Sequence, residues 1–227
     1  QQAWSGDCPQ SEFDAAFARR VFDEPTPRLA RLYRKLGAIH DAGFRIFNGS
    51  ALQYLYFDTL PRSFFLAHAR RPALERSARR LDRVLEEIDA LGLARAGDDF
   101  TGRARREIDW AARATRLAVD KGLAAIEYNG WRTEPTRLAA AGRRALARRL
   151  ERIAEDQTGQ LAALQVLWLS RNAPSDWALT RRRIRRSVTS LRGAARRLRE
   201  NAPPRPPKRH ELSLMNVFEQ MRRETRR

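Results

Sequence analysis

Apolar residues recur at steps of three and four along nearly the whole chain, the spacing that places them on one side of a helix. Phe13, Phe17 and Val21 follow Ser11 and Asp14, a pairing that resembles a helix start, and predict a helix closed before Pro25. Thr26-Pro27 reads as a cap with proline at the first helical position. Leu29, Leu32, Leu36 and Ile39 then form the buried stripe of a second helix running to about His40. Asn48-Gly49 is a turn signal, stronger than Gly43, and Ser50 can cap a short aromatic segment holding Leu52, Tyr54, Leu55, Tyr56 and Phe57. With Phe44, Phe47, Phe64 and Phe65 these rings have the makings of a pocket, but aromatic clusters at helical spacing are more often core, and they are read so here.

Pro72 opens a third long helix with Leu74, Ala78, Leu81, Leu85 and Ile88 inward and Gly92 and Gly97 at its end. Thr101 is positioned to cap a fourth, whose seam of Ile108, Ala112, Thr115, Val119, Gly122 and Ile126 is narrow enough for close approach of a neighbour, with Asn129-Gly130 as its stop. A fifth starts at Pro135, carries Leu146, Leu150, Ile153, Leu161, Leu164 and Trp168, has its weakest point at Thr158-Gly159, and ends near Asn172. Ser175 caps a sixth, with Trp177, Ile184, Val188, Leu191, Ala195 and Leu198 inward and most of its arginines outward. Long helices with short joins predict an all-α fold, an antiparallel bundle of about six helices with its body over residues 25–200.

Asn201-Ala-Pro-Pro-Arg-Pro-Pro-Lys208 lacks the N–H donors of a helix and predicts an extended polyproline linker. Residues 201–227 therefore form a linker and a basic tail, in which Leu212, Leu214, Met215, Phe218 and Met221 suit a short amphipathic helix. Docking back onto the bundle, binding a partner and remaining disordered are all open to that segment.

Composition agrees with helices: Gly is scarce at 12 and no apolar run approaches the ~20 residues of a membrane span. Cys8 is the sole cysteine, so no internal disulfide or cysteine zinc site is available. The compartment stays open, with the cytoplasm favoured. The chain begins at Gln1, and its two methionines, Met215 and Met221, lie near the other end, so the expectation is a chain taken from inside a longer reading frame.

A net charge of +18 raises polyanion binding, since clustered cations release counterions from phosphates. All the basic residues but Lys35, Lys121 and Lys208 are arginine, which in an alanine-rich chain is also what a solvated helix face looks like. From Ser175 onward stand sixteen basic and five acidic residues, so the charge belongs mainly to the C-terminal part. The candidate polyanion contacts are Arg182, Arg183, Arg185, Arg186, Arg196 and Arg197.

Catalytic chemistry finds no footing. His40, His68 and His210 lack metal-ligand spacing, and no cofactor motif is present. Glu86 and Glu87 point about 100° apart on a helix and read as face charges, while Asp98 and Asp99 read as loop residues favouring the next helix dipole. The most specific polar run is Trp168-Leu-Ser-Arg-Asn-Ala-Pro174, where one helix ends and the next begins.

That run resembles the Trp-Leu-x-Arg-Asn-x-Pro stretch in the C-terminal helical region of glycoside hydrolase family 20, the β-N-acetylhexosaminidase family. Ala3-Trp4 with Glu12 to Arg20 is similar to the close of that family's barrel, and Leu36-Gly37 through Leu52 to its next helical stretch. The resemblance covers residues 3–199 and implies that residues 1–24 are the end of a preceding barrel domain with its last helix. It implies a parent enzyme whose (β/α)8 barrel precedes this region and bears an Asp-Glu pair working through the substrate's acetamido group. None of that pair lies in this chain, so the resemblance implies a non-catalytic region whose partner is the barrel. The competing expectation is a free-standing basic module for nucleic acid or another polyanion.

Overall fold

The computed structural model describes residues 9–44, 50–60, 68–97 and 99–204. Among them are seven α-helices and no strand: α1 Gln10–Phe22, α2 Arg28–Gly37, α3 Ala51–Phe57, α4 Arg71–Leu91, α5 Phe100–Thr133, α6 Ala140–Leu169 and α7 Pro174–Glu200. The all-α expectation holds, and the short aromatic segment is the seventh helix, α3. Trp4, Cys8, Phe47, Asn48-Gly49, Phe64, Phe65, Asp98, His210 and the tail beyond residue 204 lie outside the described residues. No helix among those described is long and apolar enough to cross a membrane.

The described residues sort into two compact units, those within 1–39 and 79–113, and those within 40–78 and 114–204. In the first, α1 begins after Pro9 with no side-chain cap, so Ser11 falls inside the helix and Asp14 is buried within it. Asp14 accepts a hydrogen bond from Gln10 one turn earlier and an ion pair from Arg34 of α2 at 2.9 Å. Lys35 meets Glu87 at 2.6 Å, and Arg113 joins Asp89 at 2.5 Å to Asp109 at 2.8 Å. Asp99 caps α5 through the Gly102 N–H at 2.6 Å, so Thr101 falls inside the helix and is not its cap. Gly102 is required there, because a Cβ would come within 2.1 Å of the Gly97 carbonyl oxygen.

In the second unit the core is broader than the expected seam. Leu117, Ala118, Val119 and residues 121–125 of α5 are all buried, so this stretch is enclosed on every side. Gly122 serves the close approach foreseen for it: a Cβ there would meet Leu74 of α4 at 2.9 Å and Leu55 of α3 at 3.4 Å. Asn129-Gly130 does not stop α5, which continues to Thr133, and Pro135 opens a single 3-10 turn before α6 begins at Ala140. Thr158-Gly159 breaks nothing either. Thr158 Oγ1 donates to the Ala154 carbonyl one turn back at 2.7 Å, so its hydroxyl is satisfied within the continuous helix.

The Trp-Leu-Ser-Arg-Asn-Ala-Pro run builds the α6–α7 hairpin. Asn172 closes α6 by giving both its backbone N–H and its side-chain amide to the Trp168 carbonyl, at 2.8 and 3.2 Å. Pro174, at the first turn of α7, loses no helical donor. Trp168 and Trp177 then meet across the turn, ring centroids 6.5 Å apart.

Candidate functional site

Two cationic features stand out in the second unit, one enclosed and one open. The enclosed one is Lys121 in α5, which is 1% exposed. Its Nζ donates to three acceptors: the carbonyls of Tyr56 at 3.0 Å and Asp58 at 2.5 Å, and Ser187 Oγ of α7 at 2.6 Å. Ser187 in turn donates to Gln157 Oε1 of α6 at 2.9 Å, and Gln157 Nε2 donates to the Tyr56 carbonyl at 2.7 Å. Ser190 extends the network, donating to the Ser187 carbonyl at 2.7 Å and accepting from the Leu60 N–H at 3.1 Å.

The physical logic is that of a buried helix end. α3 has only seven residues, and the carbonyls of its last turn have no partner along their own helix. An ammonium with three donors in a tetrahedral fan satisfies two of these carbonyls and complements the negative end of the helix dipole. One side chain thus joins α3, α5, α6 and α7. Burial pushes the Lys121 amine from 10.5 down to about 7, opposed by the Asp58 carboxylate nearby. Burial also raises the Tyr56 hydroxyl, against a hydrogen bond with Gln157.

An amine bonded to a serine is the pairing that activates serine nucleophiles in some hydrolases. Here Ser187 is 0% exposed and Lys121 1%, so no substrate atom reaches either one. The network is a clasp of the core. The sequence reading missed it, naming Lys121 only as one of three lysines and giving it no role. The available signal was its neighbourhood, a lone lysine among Leu117, Ala118, Val119, Leu123, Ala124 and Ala125 in a chain that otherwise uses arginine.

The open feature is the arginine face of α7. Arg182, Arg185, Arg186 and Arg196 are exposed, as are Arg181, Arg192 and Arg199. At about 100° per residue they fall within one arc, opposite the buried Ile184, Ser187, Leu191 and Leu198, and run for about 27 Å along the axis. Comparison with protein-family models, curated proteins and solved structures finds no match to this chain. Two of the six candidate contacts do not join the open face. Arg183 is half-buried, and Arg197 is half-buried beside the Tyr128 hydroxyl, which burial pushes up in pKa and Arg197 pulls back down. Arg196 and Arg199 pair with Glu200 and Glu151.

His40 and His68 are exposed, and no group of three potential metal ligands occurs among the described residues. The aromatic segment does act as core: Leu52, Leu55 and Tyr56 are buried. In the first unit, by contrast, three rings reach the surface together. Phe13 is 44% and Tyr33 53% exposed, and Phe17 stands against both, with centroids at 5.9 and 5.8 Å.

Proposed function

We propose that this chain is the helical support region of a β-N-acetylhexosaminidase-like hydrolase of glycoside hydrolase family 20, docked on a catalytic barrel and contributing no catalytic residue. The observation that carries the reading is the ring cluster of Phe13, Phe17 and Tyr33 on α1 and α2. A support region that continues from a barrel needs an apolar contact surface near its first helix, and aromatic rings in water are a costly feature without a partner to cover them. The order of motifs from Glu12 to Pro174 supports the choice of family.

The test is the reading frame upstream of the Gln1 codon. Alternating strands and helices with an Asp-Glu pair at a strand end are expected there; a start codon directly before Gln1 would overturn the proposal. In the whole protein, Phe13→Ser with Tyr33→Ser is expected to loosen the region from the barrel, read as faster protease cleavage near residue 24 and loss of hexosaminidase activity on heating.

A second reading, polyanion binding, is favoured by one specific observation. Arg181, Arg182, Arg185 and Arg192 lie on one exposed face and have no acidic partner among the described residues. Duplex DNA bound there must lose affinity steeply with salt, by a slope of about 0.9 per phosphate contacted. A flat salt dependence would remove this reading.

A further inference from the structure

The two halves of α6 present opposite surfaces. Its first half exposes Arg144, Arg148 and Arg152, whereas residues 157–169 contain no charged side chain at all. On that second half Ala162, Ala163, Val166 and Leu169 are exposed, Val166 at 63% and Leu169 at 42%. The hairpin register follows from Ser187 against Gln157 and Trp177 against Trp168. It sets this apolar strip at the same level along the hairpin as the segment of α7 that carries Arg181, Arg182 and Arg185. The turn end of the hairpin therefore offers apolar area edged by unpaired positive charge.

We propose that this surface is the docking site of the chain's own C-terminal segment, residues 210–221. Chemistry and reach both favour it. Leu214, Met215 and Phe218 supply apolar area, and the only charges between residues 211 and 221 are Glu211 and Glu219, an acidic island in an otherwise basic C-terminal region. An arginine-edged strip attracts that island and repels the arginines beyond it.

The linker length matches. α7 ends at Glu200, and Arg182 lies about 28 Å back along its axis from Asn201. Residues 201–210, extended as polyproline at about 3.1 Å per residue, span about 28 Å. The left-handed Asn201, at φ 51°, ends the helix and turns the chain away from its axis. A linker so extended along α7 would bring Glu211 level with Arg182 and Arg185. Phe218, about 10 Å further along if the segment is helical, reaches the level of Leu169.

Cysteine crosslinking in the full-length chain tests this. In a Cys8→Ser background, Met215→Cys is paired either with Val166→Cys or with Arg148→Cys; both α6 positions are exposed, so neither substitution disturbs the core. Arg148 lies at the end of α6 nearer the linker's origin, so an undocked tail crosslinks to it more readily than to position 166. The expected result is the reverse: an intrachain disulfide mainly at position 166, with its yield cut at least about fivefold by Arg182→Glu with Arg185→Glu. Preferential crosslinking to position 148, or crosslinks only between chains, would overturn the proposal, the second outcome assigning the surface to another copy. Unchanged helical circular dichroism in each variant confirms that the fold is intact.

Discussion

Lys121 and the arginines of α7 are cations of the same sign in the same unit, yet their physical situations are opposite. Lys121 is enclosed, with every proton assigned to a named acceptor, whereas Arg182 and Arg185 stand in solvent without an acidic partner among the described residues. The difference follows from the head groups. An ammonium is a compact point charge that fits among two carbonyls and a hydroxyl, while a planar guanidinium with five donors in a fixed fork does not. A chain that uses arginine nearly everywhere has a lysine at this buried position, where three acceptors converge. Exposed charge governs what the surface attracts, and the hydrogen bonds of the buried amine govern which helices stay together.

The largest expected effect is from removing the buried cation. Lys121→Met leaves the Asp58 carbonyl and Ser187 Oγ without this donor and the Tyr56 carbonyl with Gln157 alone, and breaking a buried charged network in this way costs about 3–5 kcal/mol. The thermal midpoint is expected to fall by about 10 °C, given about 2–4 °C per kcal/mol at this chain length. Lys121→Arg is expected to destabilise as well, because the fork has no room to spread. An unchanged midpoint in both variants would show that the clasp does not hold the helices.

Next in size is a dependence on pH. The folded pKa of Lys121, about 7, lies below its unfolded value of 10.5, so between these values the unfolded chain binds more protons. Stability must therefore rise with pH across that window, and the contribution levels off about one unit below pH 7. From pH 7 to 9 the gain is about 2 kcal/mol. Urea denaturation of the wild-type chain compared with Lys121→Met at both pH values isolates it: the wild type gains and the variant does not. Equal gains would place the proton elsewhere.

Ser187→Ala comes below these. It removes the acceptor of one ammonium proton and the donor to Gln157 Oε1, at a cost of about 1–2 kcal/mol. A double-mutant cycle with Gln157→Leu reads the coupling. If the bond between them is real, the two losses sum to more than the double variant shows.

The contrast between clasp and face also marks what the sequence made legible. The periodic stripes located the longer helices, because Leu29, Leu74, Leu81, Ile108, Leu150 and Leu191 had to be buried whatever the tertiary arrangement, and buried they are, whereas in α1 the buried positions are Asp14, Ala18 and Phe22 and not the expected Phe13, Phe17 and Val21. The ends were less legible. Asn129-Gly130 and Thr158-Gly159 carry local stop signals that lose to packing on both sides of α5 and to an intrahelical hydroxyl bond in α6. Lys121 escaped for a related reason. Its partners are two carbonyls at the end of α3 and a serine 66 positions away, and no short-range spacing announces a convergence across four helices. The arginine face was legible in its extent, but not in the inward turn of Arg183 and Arg197, which depends on what packs beneath α7.

The smallest effect on stability belongs to that open face, and its smallness is what sets the two kinds of cation apart. Arg185→Ala with Arg192→Ala removes two side chains that touch no acidic partner among the described residues, so the stability is expected to stay within about 0.5 kcal/mol of wild type. If α7 is a polyanion-binding face, the same pair lowers the slope of log affinity for duplex DNA against log salt by about 2, because each arginine removed leaves one phosphate with its counterions in place. A chain that keeps its stability while that slope flattens separates the function of the exposed cations from the structural role of Lys121. A chain that loses stability instead would mean that the arginines of α7 help to hold the hairpin, and the distinction between the two kinds of cation would fail at these positions.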